Sequence, residues 1–153
     1  MSLRVFISYS SMDRKVNFEI FRLLEAHDCD VWLHFFDIKS SEVLEQELRK
    51  NAQKADIACI PLSPTSAVSR WVNQEIEFAL ERRNAGLRIL PILLQPCNIP
   101  ERLDNIVGVD VADGLADEAV QIRFVDAVFG RIRTDDALLL SAGKRSEIAK
   151  LWG

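Results

Sequence analysis

Apolar residues in this chain follow two patterns that alternate along its length. Short runs that are apolar on both faces occur at Val5-Phe6-Ile7-Ser8, Val31-Trp32-Leu33, residues 57–62, residues 87–94 and Ile106-Val107-Gly108-Val109. Runs of this length, rich in β-branched residues and not alternating with polar ones, predict strands buried on both sides. Between them the apolar positions recur at helical spacing. Ser10-Ser11-Met12-Asp13 supplies turn and cap chemistry for a first helix, whose inner face is expected from Val16, Phe18, Ile20, Phe21, Leu23 and Leu24. Residues 42–54 predict a helix carrying Val43, Leu44, Leu48 and Ala52 on one side. Residues 69–84 predict another, with Gly86 just past its end where a left-handed cap is needed. A last helix over 116–130 shows Ala119, Val120, Ile122, Val125, Val128 and Phe129.

Strand and helix thus alternate from one end to the other, which predicts a doubly wound α/β domain of about five parallel strands with helices on both faces. Residues 1–130 account for that domain. The stretch 131–153 differs in carrying net positive charge, and its Leu138, Leu139, Leu140 and Trp152 have no assigned partner. It reads as a short helical extension or the start of a linker.

Composition narrows the field by exclusion. A hydrophobic content of 48% with 27% charged residues is that of a folded domain. The formal net charge of −4 gives no reason to expect nucleic acid, which needs a positive surface, but leaves room for an anionic small molecule held by a few donors. Cys29, Cys59 and Cys97 are odd in number and widely spaced, which suits buried thiols in a reducing compartment better than disulfides or zinc. His27 and His34 lack a second ligand at metal spacing, so no metal site is expected. No apolar run approaches the ~20 residues that cross a bilayer. A strand beginning by Arg4 leaves no room for a signal peptide, and a cytoplasmic location follows as the expectation.

In doubly wound sheets ligands bind beyond the carboxyl ends of the strands. The turn after the first strand, Ser8-Tyr9-Ser10-Ser11-Met12-Asp13, has no glycine for a pyrophosphate to approach, so a Rossmann cradle is disfavoured. No Gly-Lys-Ser/Thr occurs, which excludes a Walker loop. The third strand ends in Leu62-Ser63-Pro64 where a phosphorylated receiver would need an aspartate.

Four segments carry a resemblance. Val5-Phe6-Ile7-Ser8-Tyr9-Ser10 followed by Asp13 resembles the first conserved box of TIR (Toll/interleukin receptor) domains, and Val31-Trp32-Leu33 resembles their second strand leading to the BB loop. Leu62-Ser63-Pro64 with Ser66, then Ser69-Arg70-Trp71-Val72-Asn73-Gln74-Glu75, resembles the Ser-x-Trp-x-x-x-Glu stretch of the third box. Ile89-Leu90-Pro91-Ile92 resembles the fourth strand. The segments keep the family's order over roughly residues 4 to 130, in a style similar to the bacterial members. The resemblance implies a flavodoxin-like fold.

It also implies chemistry. In TIR domains with enzyme activity, the glutamate at the place of Glu75 is needed to break the nicotinamide–ribose bond of NAD. Taken alone, Glu75 is one glutamate among Glu77 and Glu81 on a helix, at the border of the buried face set by Val72, Ile76 and Leu80. Ser10 and Ser11 match positions where relatives contact NAD, and they equally suit capping of the first helix. Asp37 and Lys39 fall in the BB-loop region that borders the nucleotide in relatives, while as plain charges they suit solvent. Trp71 suits packing between helix and sheet as well as stacking on a ligand. Two departures from the family pattern stand out: His34 replaces the usual acid after the second strand, and Ser40-Ser41 replaces the usual glycine-containing pair in the BB loop.

Two classes of function follow. One is an NAD+ nucleosidase yielding nicotinamide and ADP-ribose or a cyclic product, active in bacterial defence signalling and self-associating through TIR–TIR contacts. The other is a non-catalytic interaction module, an adaptor or an interfering protein. A nucleoside-processing transferase would also use a lone glutamate, and would consume nucleosides in place of NAD.

Overall fold

A computed structural model describes residues 2–10, 13–36, 50, 53–64, 70–103, 106–131 and 138–139. Five strands run parallel: β1 (Arg4–Ser10), β2 (Asp30–Phe36), β3 (Ile57–Leu62), β4 (Arg88–Leu93) and β5 (Val107–Asp110). Their order is β2-β1-β3-β4-β5, and a two-residue strand β6 (Leu138–Leu139) adds to the outer side of β5 in antiparallel sense. Leu138 and Leu139 therefore meet Gly108 and Val107 as their strand neighbours. Register is tight across the centre, with Val5 beside Ile57 and Ile57 beside Arg88. Every residue of β3 is buried, as a central parallel strand requires.

Three helices are described: α1 (Arg14–Ala26), α2 (Arg70–Arg82) and α3 (Glu118–Val128). The predicted helix over 42–54 falls outside the described residues except for Lys50, which is helical, and the short segment 53–54. Alternation along the strands sends side chains to two faces. Val5, Ile7, Ile57, Cys59, Leu90, Ile92 and Val109 pack with Ile20 and Leu24 of α1 and with Val120, Phe124 and Val128 of α3. The opposite face belongs to α2. There Val72 and Ile76 pack on Ile60, Leu62 and Leu93. Phe78 packs on Phe6, and Ala79 on Ala58 and Leu87. The start of α2 thus touches strand ends and its finish touches strand beginnings, so the helix runs back against the strands, as a crossover between parallel strands must.

Helix ends obey local chemistry. Gly86 takes φ 102°, the left-handed geometry expected of it, after the 3-10 turn Arg83–Ala85 that closes α2. The Asp117 side chain accepts from the Ala119 amide at 2.9 Å and caps α3. At the far end of α3, Arg88 from β4 donates to the carbonyls of Val128 (2.8 Å) and Ala127 (3.0 Å), which ties that helix to the sheet.

The inner faces of two helices differ from expectation. On α1, Phe18 is 40% exposed and Asn17 is fully buried, because the buried positions 13, 17, 20 and 24 form a single stripe at helical spacing and Phe18 stands a hundred degrees away from it. On α3, Ile122 is 52% exposed, and Phe124 fills the core.

Candidate functional site

All five parallel strands end at the same edge of the sheet. At that edge the chain leaves β1 toward the α1 face and leaves β3 toward the α2 face, and these two strands are neighbours. The connections diverge there, opening the crevice in which doubly wound folds hold their ligands.

Glu75 stands beside this crevice. It lies on α2 three residues before Phe78, on the same flank of the helix. Phe78 rests on Phe6 of β1, so Glu75 lies on the β1 side of α2, about 4.5 Å nearer the carboxyl edge along the helix axis. Its exposure is 1%, and both carboxylate oxygens are shielded from solvent. Placement at the border of the buried face gives way to full burial. A carboxylate is costly to bury, and this one shares α2 with the buried Val72, Ile76, Phe78 and Ala79. Its charge reaches into the sheet. The Cys59 thiol of β3 is pushed far above its ordinary range, first by burial and next by the Glu75 carboxylate, with Arg88 pulling the other way.

Of the other residues predicted to contact NAD, Ser10 is the last residue of β1 and Trp71 the second of α2, which puts both backbones at the carboxyl edge. The side chains of Ser10 and Trp71, and the whole of Ser11, Asp37 and Lys39, lie outside the described residues, as does the Ser40-Ser41 pair.

The structure joins three polar residues that had no site role in the sequence reading: Asp13 and Ser63, read there as cap and strand-end residues, and Asn17. Ser63, directly after β3, is 1% exposed and donates its hydroxyl hydrogen to Oδ2 of Asp13 at 2.8 Å. Asp13 occupies the N-cap position of α1, but its side chain makes no capping bond to the helix. Asn17, one turn into α1, donates from Nδ2 to the Asp13 carbonyl at 2.9 Å. These residues bridge the crevice between the β1 and β3 connections. The sequence cues were Asp13, an acid shortly after the first strand, and Ser63, at the end of the third.

An open groove of about 310 Å³, lined by Leu23, His27, Gln121, Ile122 and Arg131 among others, lies between α1 and α3. It is on the far face of the sheet from Glu75. Among the described residues no group of three or more His, Cys, Asp or Glu could hold a metal, and no helix is long and apolar enough to cross a membrane. All three cysteines are described, and none forms a disulfide.

A parallel sheet in the order 2-1-3-4-5, with helices on both faces and polar groups gathered at the junction of β1 and β3, defines a flavodoxin-like α/β domain. The family model described as TIR domain matches residues 5–124, and the chain belongs to the TIR domain family. Among solved structures it is similar to the TIR domain of the Toll-related receptor TRR-2 from Hydra magnipapillata, with 20% identity and a TM-score of 0.57 over 85% of this chain and 98% of that one. A comparison with curated proteins returns no match.

Proposed function

We propose that this TIR domain is an NAD+ nucleosidase in which Glu75 assists departure of nicotinamide from the ribose. The observation that carries the reading is the buried carboxylate of Glu75 on the flank of α2 that faces β1, beside the crevice. Nicotinamide leaves as a neutral molecule from a cationic substrate, so its departure needs no general acid. The electron pair of the breaking C–N bond goes to the nicotinamide ring, and positive charge collects on the ribosyl carbon and ring oxygen. A carboxylate held out of water interacts strongly with that developing charge and can also accept hydrogen bonds from the ribose hydroxyls. Water then adds and loses a proton, giving ADP-ribose, or another atom of the same molecule closes a ring, giving a cyclic product.

In this reading Ser10 and Ser11 border the nucleotide from the β1 side, Asp37 and Lys39 border it from the BB loop, and Trp71 anchors or stacks at the start of α2. Self-association of TIR domains completes the active form, and the setting is bacterial defence signalling. The test is nicotinamide release from NAD at high protein concentration, with Glu75→Ala beside the wild type. Release by the wild type with a fall of at least about 100-fold in the variant is the expected result. Equal rates in the two would remove Glu75 from the mechanism.

A second reading is a non-catalytic interaction module, favoured by the likeness to a TIR domain from a Toll-related receptor. No nicotinamide release by the wild type, even at high concentration, would select it.

A further inference from the structure

The geometry points to Asp13 and Ser63 as a positioning pair that fixes where the Glu75 carboxylate stands relative to the connection after β1, and so supports nicotinamide release. The inference rests on the reading of Glu75 given above. The two residues are 50 positions apart in sequence and come from opposite lips of the crevice. Asp13 is 9% exposed and receives the chain arriving from β1. Ser63 sends the chain onward from β3 to α2, the helix that carries Glu75. Their hydrogen bond, 2.8 Å long, has a carboxylate as acceptor and little water around it, and both conditions strengthen it.

A purely structural role for Asp13 would be to cap α1, aiming its carboxylate at the amides of the first turn. The side chain makes no such bond and turns across the crevice instead. Asn17 supports the arrangement from beneath, holding the Asp13 carbonyl with its amide while itself fully buried. A bond that fixes the spacing of the two lips also fixes the distance between groups on the β1 side and the carboxylate on the α2 side. A displacement of about 1 Å there is enough to cost a reaction on the order of 100-fold.

The test uses the full chain as wild type, Ser63→Ala, Ser63→Thr and Asp13→Asn, with two readouts. The first is kcat and KM for nicotinamide release from NAD, measured well below each variant's Tm. The second is the carboxyl carbon signal of Glu75 in protein carrying 13C-glutamate, assigned with Glu75→Gln and followed through a pH titration. Ser63→Ala is expected to lower kcat about tenfold or more with KM within about twofold of wild type, since a misplaced catalytic group weakens the transition state more than substrate binding. It is also expected to displace the Glu75 titration curve. Ser63→Thr restores both, because it keeps the hydroxyl. Asp13→Asn keeps the shape and an acceptor but loses the charge, so it gives a smaller change in the same direction, and serves as the deciding variant if Ser63→Ala does not fold. Unchanged kcat, or a Glu75 curve that overlies the wild type, would overturn the inference. A wild type that releases no nicotinamide overturns the reading of Glu75 itself, a result that the Glu75 signal in the variants tells apart from failure of the pair.

Discussion

Cys59 in β3 and Glu75 in α2 are both shut off from water, and the charge of the carboxylate is felt at the thiol. Burial and that charge act in the same direction on Cys59, raising the pH at which a thiolate forms. Cys29 is shifted the same way, mainly by burial with Asp28 adding to it. Thiolate is the reactive form. In the native protein at neutral pH, iodoacetamide is therefore expected to modify the half-buried Cys97 first and to leave Cys59 and Cys29 unmodified, as mass spectrometry of the digested protein would reveal. Early labelling of Cys59 would mean that the centre of the sheet opens readily. At this scale the sequence revealed residue types more readily than partners. Glu75 is visible as an acid near a helix start, but its depth is set by neighbours such as Phe78 and Phe6, 72 positions apart by their numbers, which no local pattern connects. Asp13 and Ser63 each look like an ordinary turn residue until folding brings their side chains together.

Elements were legible where apolar runs are long and bounded. The third strand falls on the predicted residues, and α2 with its terminal Gly86 follows prediction within a residue or two. The faces of α1 and α3 were less legible, because choosing a face by counting apolar side chains placed Phe18 and Ile122 inward. Phe18 and Ile122 lie well to the side of the stripe that meets the sheet, and tertiary contact, not side-chain type, decides which angle is buried. Contact between elements also gives Gly108 its role. A Cβ built there would stand 2.7 Å from the Pro91 carbonyl oxygen, so β5 approaches β4 too closely for any other residue. Gly108→Ala is expected to destabilise the protein by about 1–3 kcal/mol, read as a lower urea midpoint. An unchanged midpoint would show that the two strands can part without cost.

For the whole molecule, the parallel sheet and its two covered faces followed from the alternation of pattern, while the crevice did not, because it depends on strand order and strand order has no local sequence signal. If the active form is an assembly, nicotinamide released per mole of protein should rise with protein concentration, in step with the oligomer seen by sedimentation. Constant specific activity while the oligomer dissociates would assign catalysis to the monomer. The pairing of Leu138 and Leu139 with β5 gives the rim of the sheet a cover. A version of the protein ending at Arg131 would lose that cover and present the amides and carbonyls of Val107 and Gly108 to whatever strand drifts past. Unguarded rims of this kind recruit neighbours indiscriminately. Clumping of such a shortened protein should therefore not be mistaken for the ordered self-association proposed for the intact one.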